Sequence, residues 1–141
     1  MTTGETSSPS VAPVPELRYR GPALIERIGR LRRELASWAR CAGLPDDEVD
    51  ALVLACYEAL ANVVTHAYGN ATGPVEVRAT RPGHHLMVTI TDSGRWRPAR
   101  LCKDATHGRG LPLIRALAPD AEIEGTAHGT TVRLKWPLPA R

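Results

Sequence analysis

Two amphipathic patterns in the first half of the chain predict two helices. Between residues 21 and 41, apolar residues recur three and four positions apart, so Gly21 and Pro22 open a helix that Gly43 ends. The predicted apolar face of this helix consists of Leu24, Ile25, Ile28, Leu31, Leu35 and Trp38. Pro45 and the three carboxylates after it start a second helix, because proline suits a first helical turn and negative charge suits the helix dipole there. We expect this second helix to continue to about residues 68 and 69.

The second half of the chain alternates apolar and polar residues, as half-buried strands do. Alternation on both sides of a turn at residues 82–83 predicts a β-hairpin. Its apolar positions are Val75, Val77, Ala79, Leu86, Val88 and Ile90. A second hairpin is predicted over residues 121–136, with its turn at residues 128–129. Ahead of the first helix, Leu17 and Tyr19 alternate with arginines and predict a short edge strand.

A polar and basic segment separates the two hairpins. It runs from Ser93 to His107, and loops of this length in compact domains are usually functional. Gly108 and Gly110 then open a short third helix, which tolerates Pro112 in its first turn.

The size and composition of the chain indicate one folded domain. Its 141 residues are 43% hydrophobic and 23% charged, which excludes wholesale disorder and fibrous repeats. Residues 1–15 are rich in Thr, Ser and Pro and predict a flexible tail, so the single domain covers residues 16–141. Neither a signal peptide nor an apolar run near the roughly 20 residues of a membrane span is present. We therefore expect a cytoplasmic protein that does not enter membranes.

Three cysteines do not form a recognisable metal or redox motif. Cys41, Cys56 and Cys102 include no C-x-x-C pair and have no histidine at zinc-ligand spacing. Cys41 and Cys56 lie in helical patterns beside apolar residues, so we expect both to be buried, inert thiols.

The net charge of +3 is unevenly distributed. The segment from Glu16 to Arg40 contains seven arginines and three glutamates, a net charge of +4, whereas Cys41 to Arg141 is balanced. A basic helix face can bind nucleic acid, and Arg27, Arg30 and Arg33 would be the residues involved. Most such faces are simply solvated, so we expect no direct contact with nucleic acid.

The second predicted helix carries a polar stripe. Glu58, Asn62 and His66 are spaced four residues apart and therefore project along one side of a helix. The opposite stripe, Leu52, Cys56, Leu60 and Val63, is apolar and faces the core. A carboxylate, a carboxamide and an imidazole in line suit a hard cation and a polar substrate, although such stripes are more often only a solvated face.

Three further segments strengthen the interpretation of that stripe as a site. Asp92 and Gly94 stand where a strand ends, a place from which ligand-binding groups commonly emerge. The Gly108-Arg109-Gly110 turn precedes a helix, whose free N–H groups and dipole favour phosphate. After them, Gly129-Thr130-Thr131 offers hydroxyls at a tight turn. Each segment can also be read as an ordinary turn.

Together, these segments resemble a known family. The strings EALANVVTHAYG (58–69), DSG (92–94), HGRGLPLI (107–114) and GTTV (129–132) resemble, in this order, the four ATP-binding boxes of the gyrase, chaperone, histidine kinase and MutL (GHKL) superfamily. The small size and the E-x-x-x-N-x-x-x-H helix are most similar to the bacterial anti-sigma-factor serine/threonine kinases of the RsbW and SpoIIAB type. This resemblance implies an α+β fold, a two-layer α/β sandwich of the Bergerat type, with helices over one face of a mixed, mostly antiparallel sheet.

The resemblance also implies a role for each site residue and two cofactors, ATP and Mg²⁺. Glu58 would be the catalytic base, Asn62 would coordinate magnesium, and His66 would lie near the nucleotide. The remaining cofactor-binding residues would recognise adenine or supply backbone N–H groups to the phosphates. They are Asp92, Gly94, Gly108, Arg109, Gly110, Leu111 and Thr130.

The implied activity is phosphorylation of an anti-sigma-factor antagonist of the STAS type by a regulator that also binds a sigma factor. The resemblance leaves open whether the chain is a homodimer. Trp96 stands where the family's adenine box has its second glycine, and Pro112 removes one N–H from the phosphate box. The alternative is therefore a nucleotide-dependent protein-binding regulator without kinase activity.

Overall fold

The computed structural model describes residues 15–68, 72–94 and 110–139 of the chain. In chain order, its elements are β1 (Leu17–Pro22), α1 (Ile25–Cys41), α2 (Asp46–Asn62), β2 (Pro74–Thr80), β3 (His85–Asp92), α3 (Gly110–Leu117), β4 (Glu122–Thr126) and β5 (Gly129–Pro137). A π-helical turn, Val63–Ala67, follows α2 directly. Both predicted hairpins, the edge strand and all three predicted helices are confirmed.

The five strands form one sheet in the order β1-β2-β3-β5-β4. Every pair of neighbours among the described strands is antiparallel. The expected α+β class is therefore confirmed, but the sheet of the described residues is antiparallel throughout rather than mixed. Two of the four pairs, β2–β3 and β4–β5, are hairpins, which join antiparallel strands by construction.

The strand register collects the apolar side chains on one face of the sheet. Val77 lies opposite Ile90, and Ile90 lies opposite Val132, and all three are buried. The helices cover this face, and α2 packs against α1, α3, β3 and β5. The predicted apolar stripe is buried, with Leu52, Cys56 and Leu60 on α2 and Val63 in the π-helical turn.

Three expectations about the helices were wrong. Ile25 is 58% exposed because α1 begins at that residue rather than at Gly21, so Ile25 lies at the helix end, outside the core. Cys41, the last residue of α1, is exposed, whereas Cys56 is buried and its burial raises the pKa of the thiol. The regular α2 ends at Asn62 and changes to π-helical geometry instead of continuing to residue 68.

Several predictions concern residues outside the described part of the chain. They include the tail over residues 1–14, the loop over residues 95–109 and Cys102. Pro15, at the expected end of the tail, accepts a hydrogen bond from the Trp38 indole N–H at 2.7 Å. None of the helices described in the structure is long and apolar enough to cross a membrane.

Candidate functional site

The polar stripe occupies the last turns of α2 and the π-helical turn after it, whose Ala67 lies against Gly94, just past the end of β3. Glu58 and Asn62 are both half-buried, while the apolar residues on the opposite side of α2 are inaccessible to solvent. The third member of the stripe, His66, lies in the π-helical turn, and its side chain is outside the described structure. Single π-helical turns within helices are rare and occur frequently at functional sites.

Asp92 is the buried carboxylate of this region. It is the last residue of β3, it faces the covered side of the sheet, and it is 7% exposed, the one buried polar or charged side chain among the residues described. Its Oδ1 accepts the backbone N–H of Gly94 at 2.9 Å, and the backbone N–H of Thr130 also donates to the carboxylate. Burial raises the pKa of Asp92 above its ordinary value, although the two N–H donors act in the opposite direction.

Thr130 holds Asp92 through its backbone. The two residues are directly opposite each other in the β3–β5 pairing, and the Thr130 backbone N–H lowers the pKa of the carboxylate. The sequence suggested the hydroxyl of Thr130 as a binding group, and the structure adds a contribution of its backbone amide to Asp92. Because a backbone amide is present in any residue except proline, side-chain identity alone could not have revealed this contact.

Two glycines let backbone segments approach each other around Asp92. A Cβ on Gly94 would lie 2.0 Å from the carbonyl oxygen of Ala67, the last residue of the π-helical turn. A Cβ on Gly129 would lie 2.2 Å from the carbonyl oxygen of Asp92, and Gly129 also has a φ of +152°. Gly94 thus joins the end of the α2 segment to the end of β3, a contact that no larger residue allows without movement.

Tyr68 is a site-forming residue that sequence reasoning missed. Its hydroxyl accepts the backbone N–H of Ser93 at 2.8 Å and donates to the carbonyl oxygen of Pro74 at 2.6 Å. Tyr68 directly follows the π-helical turn, and its side chain forms hydrogen bonds to both β2 and the Asp92-Ser93-Gly94 turn. The only available signal was its position in the H-A-Y string, which says nothing about where the hydroxyl points.

The predicted phosphate-binding turn is described only in part. Helix α3 begins at Gly110, with Pro112 in its first turn, and it packs against α2. Ile114 and Ala118 anchor it in the core. Gly108 and Arg109 lie outside the described residues, as does the side chain of Leu111. Asp92, Gly94 and Thr130 thus lie together at the end of β3. Glu58 and Asn62 are on α2, whose following π-helical turn contacts Gly94 through Ala67, and α3 packs against α2.

Within residues 15–68, 72–94 and 110–139, no group of three or more His, Cys, Asp or Glu side chains is arranged to hold a metal ion. A magnesium ion bound by a nucleotide does not need such a group. Magnesium is usually held by one or two protein ligands, with phosphate oxygens and waters completing its octahedron. The carboxamide oxygen of Asn62, one helical turn from Glu58, fits an ion of that kind.

The chain is similar to known proteins over most of its length. Residues 21–136 match the family described as the histidine kinase-like ATPase domain. The chain is 27% identical over 129 residues to the serine-protein kinase RsbW of Bacillus thuringiensis (strain Al Hakam), covering 82% of this chain and 81% of that protein. It is 30% identical over 129 residues to the sensor histidine kinase PdtaS of Mycobacterium tuberculosis (strain ATCC 25618 / H37Rv).

The sensor kinases are much longer proteins. The match covers 85% of this chain but 24% of PdtaS, so the chain spans about a quarter of the length of these relatives. The solved structure of the RsbU and RsbW domains of Rv1364c from Mycobacterium tuberculosis superposes with a TM-score of 0.73 at 29% identity, covering 92% of this chain and 35% of that one. With a family match that extends over most of its length, this chain belongs to the histidine kinase-like ATPase domain family.

Proposed function

We propose that the protein binds Mg-ATP and acts as a serine/threonine protein kinase of the anti-sigma type. It would bind a sigma factor and phosphorylate a STAS-type antagonist, and the domain responsible would cover residues 16–141. Membership of the histidine kinase-like ATPase family supports the ATP-binding part of this proposal. Similarity to RsbW, which extends over 81% of that serine-protein kinase, supports the choice of kinase and partners.

The observation that carries the proposal is the buried Asp92 carboxylate. An aspartate that is 7% exposed is costly to keep ionised, and among the residues that the structure describes no cationic side chain contributes to the shift of its pKa. Two backbone amides hold it instead, so its orientation is fixed by the main chain. Such a carboxylate is suited to accept a hydrogen bond from an exocyclic amino group, as adenine offers and guanine at the same position does not.

The second part of the proposed chemistry lies on α2. Phosphoryl transfer depends mainly on positioning and charge stabilisation, with a base to accept the proton of the attacking hydroxyl. Glu58 would accept that proton as the hydroxyl oxygen of a serine or threonine on the antagonist bonds to the γ-phosphorus and ADP leaves. Asn62 would contribute its carboxamide oxygen to magnesium, which neutralises phosphate charge when bound.

The remaining proposed roles concern the two ends of the nucleotide. Gly94 would let the adenine approach Asp92, and Thr130 would hold the carboxylate in place. Gly108, Gly110 and Leu111 would give backbone N–H groups to the phosphates at the start of α3, with Arg109 beside them. His66 would lie near the nucleotide in the π-helical turn.

Titration calorimetry with ATP and ADP, with and without magnesium, tests nucleotide binding. We expect the wild type to bind ATP more tightly when magnesium is present and Asn62→Ala to lose most of that magnesium dependence. No binding by folded wild-type protein would contradict the proposal.

A transfer assay with labelled ATP and a STAS-type antagonist tests the kinase activity. We expect Glu58→Gln to retain ATP binding and to lose at least about a hundredfold in the transfer rate, the lower range for a general base. Glu48→Gln is the matched control, because Glu48 is also a half-buried glutamate of α2 and lies nearly three turns away. ATP binding without transfer by the wild type would instead favour the regulator without kinase activity.

A further inference from the structure

The pairing between strands β2 and β3 stops beside Asp92, the last residue of β3. In the β2–β3 register, Val75 lies opposite Asp92, so the next pair in line would be Pro74 and Ser93. These two residues are not paired with each other. The Ser93 N–H instead donates to the Tyr68 hydroxyl at 2.8 Å, and that hydroxyl donates to the Pro74 carbonyl oxygen at 2.6 Å. The Tyr68 hydroxyl thus lies between Ser93 and Pro74, where the next pair of residues of β2 and β3 would otherwise meet.

This insertion determines the geometry of the turn that follows. With its N–H bonded to Tyr68, Ser93 leaves the sheet, and the Gly94 N–H turns back to Oδ1 of Asp92 at 2.9 Å. The Tyr68 hydroxyl donates its one proton to Pro74 and accepts the proton of the Ser93 N–H, so it takes part in both bonds at once. Tyr68 therefore sets where β3 ends and how the Asp92-Ser93-Gly94 turn begins.

The ring of Tyr68 is itself held firmly. A Cβ on Gly73 would lie 2.3 Å from two of its ring atoms, so the ring packs directly on the backbone ahead of β2. On the other side, Ala67 precedes Tyr68 in the chain, and its carbonyl oxygen packs against Gly94. The pair Ala67 and Tyr68 thus contacts the turn through two separate interactions, one steric and one by hydrogen bonding.

We infer that Tyr68 is a positioning residue that fixes the Asp92-Ser93-Gly94 turn relative to the α2 segment, through a hydroxyl inserted between Pro74 and Ser93. The inference rests on the proposed function, since the turn would hold the nucleobase while Glu58 and Asn62 on α2 serve the phosphates and the transfer. A nucleotide must reach both places at once, so their relative placement governs its affinity. Tyr68 acts on the base end without touching the reacting atoms.

Tyr68→Phe removes the hydroxyl and leaves the ring on Gly73. We expect the KM for ATP to rise about tenfold, in the range that one or two hydrogen bonds provide, with kcat changed less than about twofold. The preference for ATP over GTP should fall by a similar factor, because only the base end is disturbed. A purely structural role would instead lower the yield of active protein and leave the ratio of ATP to GTP affinity unchanged.

Tyr19→Phe is the matched control. The Tyr19 hydroxyl also donates to a backbone carbonyl, that of Pro22 at 2.8 Å, and its side chain is half-buried on the edge strand β1. We expect this variant to keep the wild-type KM and nucleotide preference. Amide exchange followed by NMR in the nucleotide-free protein gives a second readout, in which Ser93 exchanges at least about tenfold faster in Tyr68→Phe than in Tyr19→Phe.

The outcomes separate this inference from the proposed function. A Tyr68→Phe variant with unchanged ATP affinity and unchanged ATP-to-GTP ratio overturns the inference and leaves the proposed kinase standing. Equal losses for ATP and GTP, or unchanged Ser93 exchange, overturn it as well. A wild-type protein that binds no ATP overturns the proposed function, and the role of Tyr68 in nucleotide affinity with it.

Discussion

Helices α1 and α2 are both seventeen residues long, and they are used in different ways. One side of α1 is buried, and its other side exposes a series of arginines to solvent. Helix α2 has neighbours on several sides, since it packs against α1, α3 and two strands. The polar residues in its last turn, Glu58 and Asn62, are only half-buried. The basic helix therefore supplies a solvated surface, and the more apolar helix carries Glu58 and Asn62 of the proposed site.

The surroundings of the two helices differ in the same way. Gly29, within α1, has no atom from outside its own stretch of helix backbone within 4 Å of the place where a Cβ would stand. At the far end of α2, the π-helical turn brings the Ala67 carbonyl oxygen so close to Gly94 that no Cβ fits between them. Space is available where the helix faces solvent, and it is absent where two segments must meet to form a site.

The largest expected effect is on stability, at the centre of α2. Leu52 is fully buried, so Leu52→Ala should lower the free energy of unfolding by about 2–5 kcal/mol through lost transfer energy and a cavity. Leu54, two residues along the same helix, is 42% exposed, and Leu54→Ala should cost less than about 1 kcal/mol. Urea denaturation of both variants measures the difference. Similar losses of unfolding free energy for Leu52→Ala and Leu54→Ala would contradict the conclusion that one side of α2 is packed in the core.

The next effect separates nucleotide affinity from stability at Asp92. Asp92→Asn keeps an oxygen for the Gly94 N–H but removes the buried charge, so ATP binding should weaken by about 1.5–3 kcal/mol, the range for hydrogen bonds to charged groups. The free energy of unfolding at neutral pH should stay the same or rise, by no more than about 1 kcal/mol. Calorimetry and urea denaturation measure the two quantities. Asp50→Asn, at an exposed position of α2, should change neither.

The raised pKa of Asp92 also predicts a dependence on pH. Because the folded protein holds the Asp92 proton more tightly than the unfolded chain, this group contributes stability at low pH that is lost as pH rises from the ordinary aspartate pKa through the raised one. Asp92→Asn should lack that contribution. The free energies of unfolding of the wild type and Asp92→Asn, measured from about pH 3.5 to pH 7, should therefore converge at the acidic end and separate toward neutral pH. A constant difference across the range would contradict the buried-charge explanation.

A smaller effect tests the close contact between the end of α2 and the turn after β3. Gly94→Ala places a Cβ 2.0 Å from the Ala67 carbonyl oxygen, so it should destabilise the protein by about 1–3 kcal/mol, the usual cost of overpacking. Gly29→Ala is the control in open space, where replacing a helical glycine should add about 0.5–1 kcal/mol. Thermal denaturation measures both. The same sign for both substitutions would contradict the assignment of the tight contact to Gly94.

Periodicity predicted the elements well because burial follows one face of each element. The alternation around residues 82–83 and the three-and-four spacing of α1 need no tertiary information to be recognised. Ile25 and Cys41 were misjudged because each lies at an end of α1, where an apolar residue has no partner to cover it. The change from α-helical to π-helical geometry after Asn62 has no signal in the residue types of that segment.

The site was partly predictable for a related reason. Asp92 and Gly94 could be selected as candidates because they stand at the end of a strand, a place from which ligand-binding groups commonly emerge. The contact from Tyr68 to Ser93 joins residues that are 25 positions apart, and it depends on the exact register of two strands. Likewise, the Thr130 amide reaches Asp92 only because β5 pairs with β3 in that register. Such relations are properties of the assembled sheet.

The smallest effect is expected on the exposed face of α1. Replacing Arg27, Arg30 and Arg33 together with glutamine should change the free energy of unfolding by less than about 0.5 kcal/mol, because exposed positions with similar helix propensity contribute little. If each arginine neutralised one phosphate of a DNA duplex, log K would fall with log salt with a slope of about −2.7. We expect fluorescence anisotropy of a labelled duplex to show no such slope for the wild type and no difference from the triple variant. A wild-type slope near that value, lost in the triple variant, would make α1 a nucleic-acid interface and contradict its description as a solvated surface.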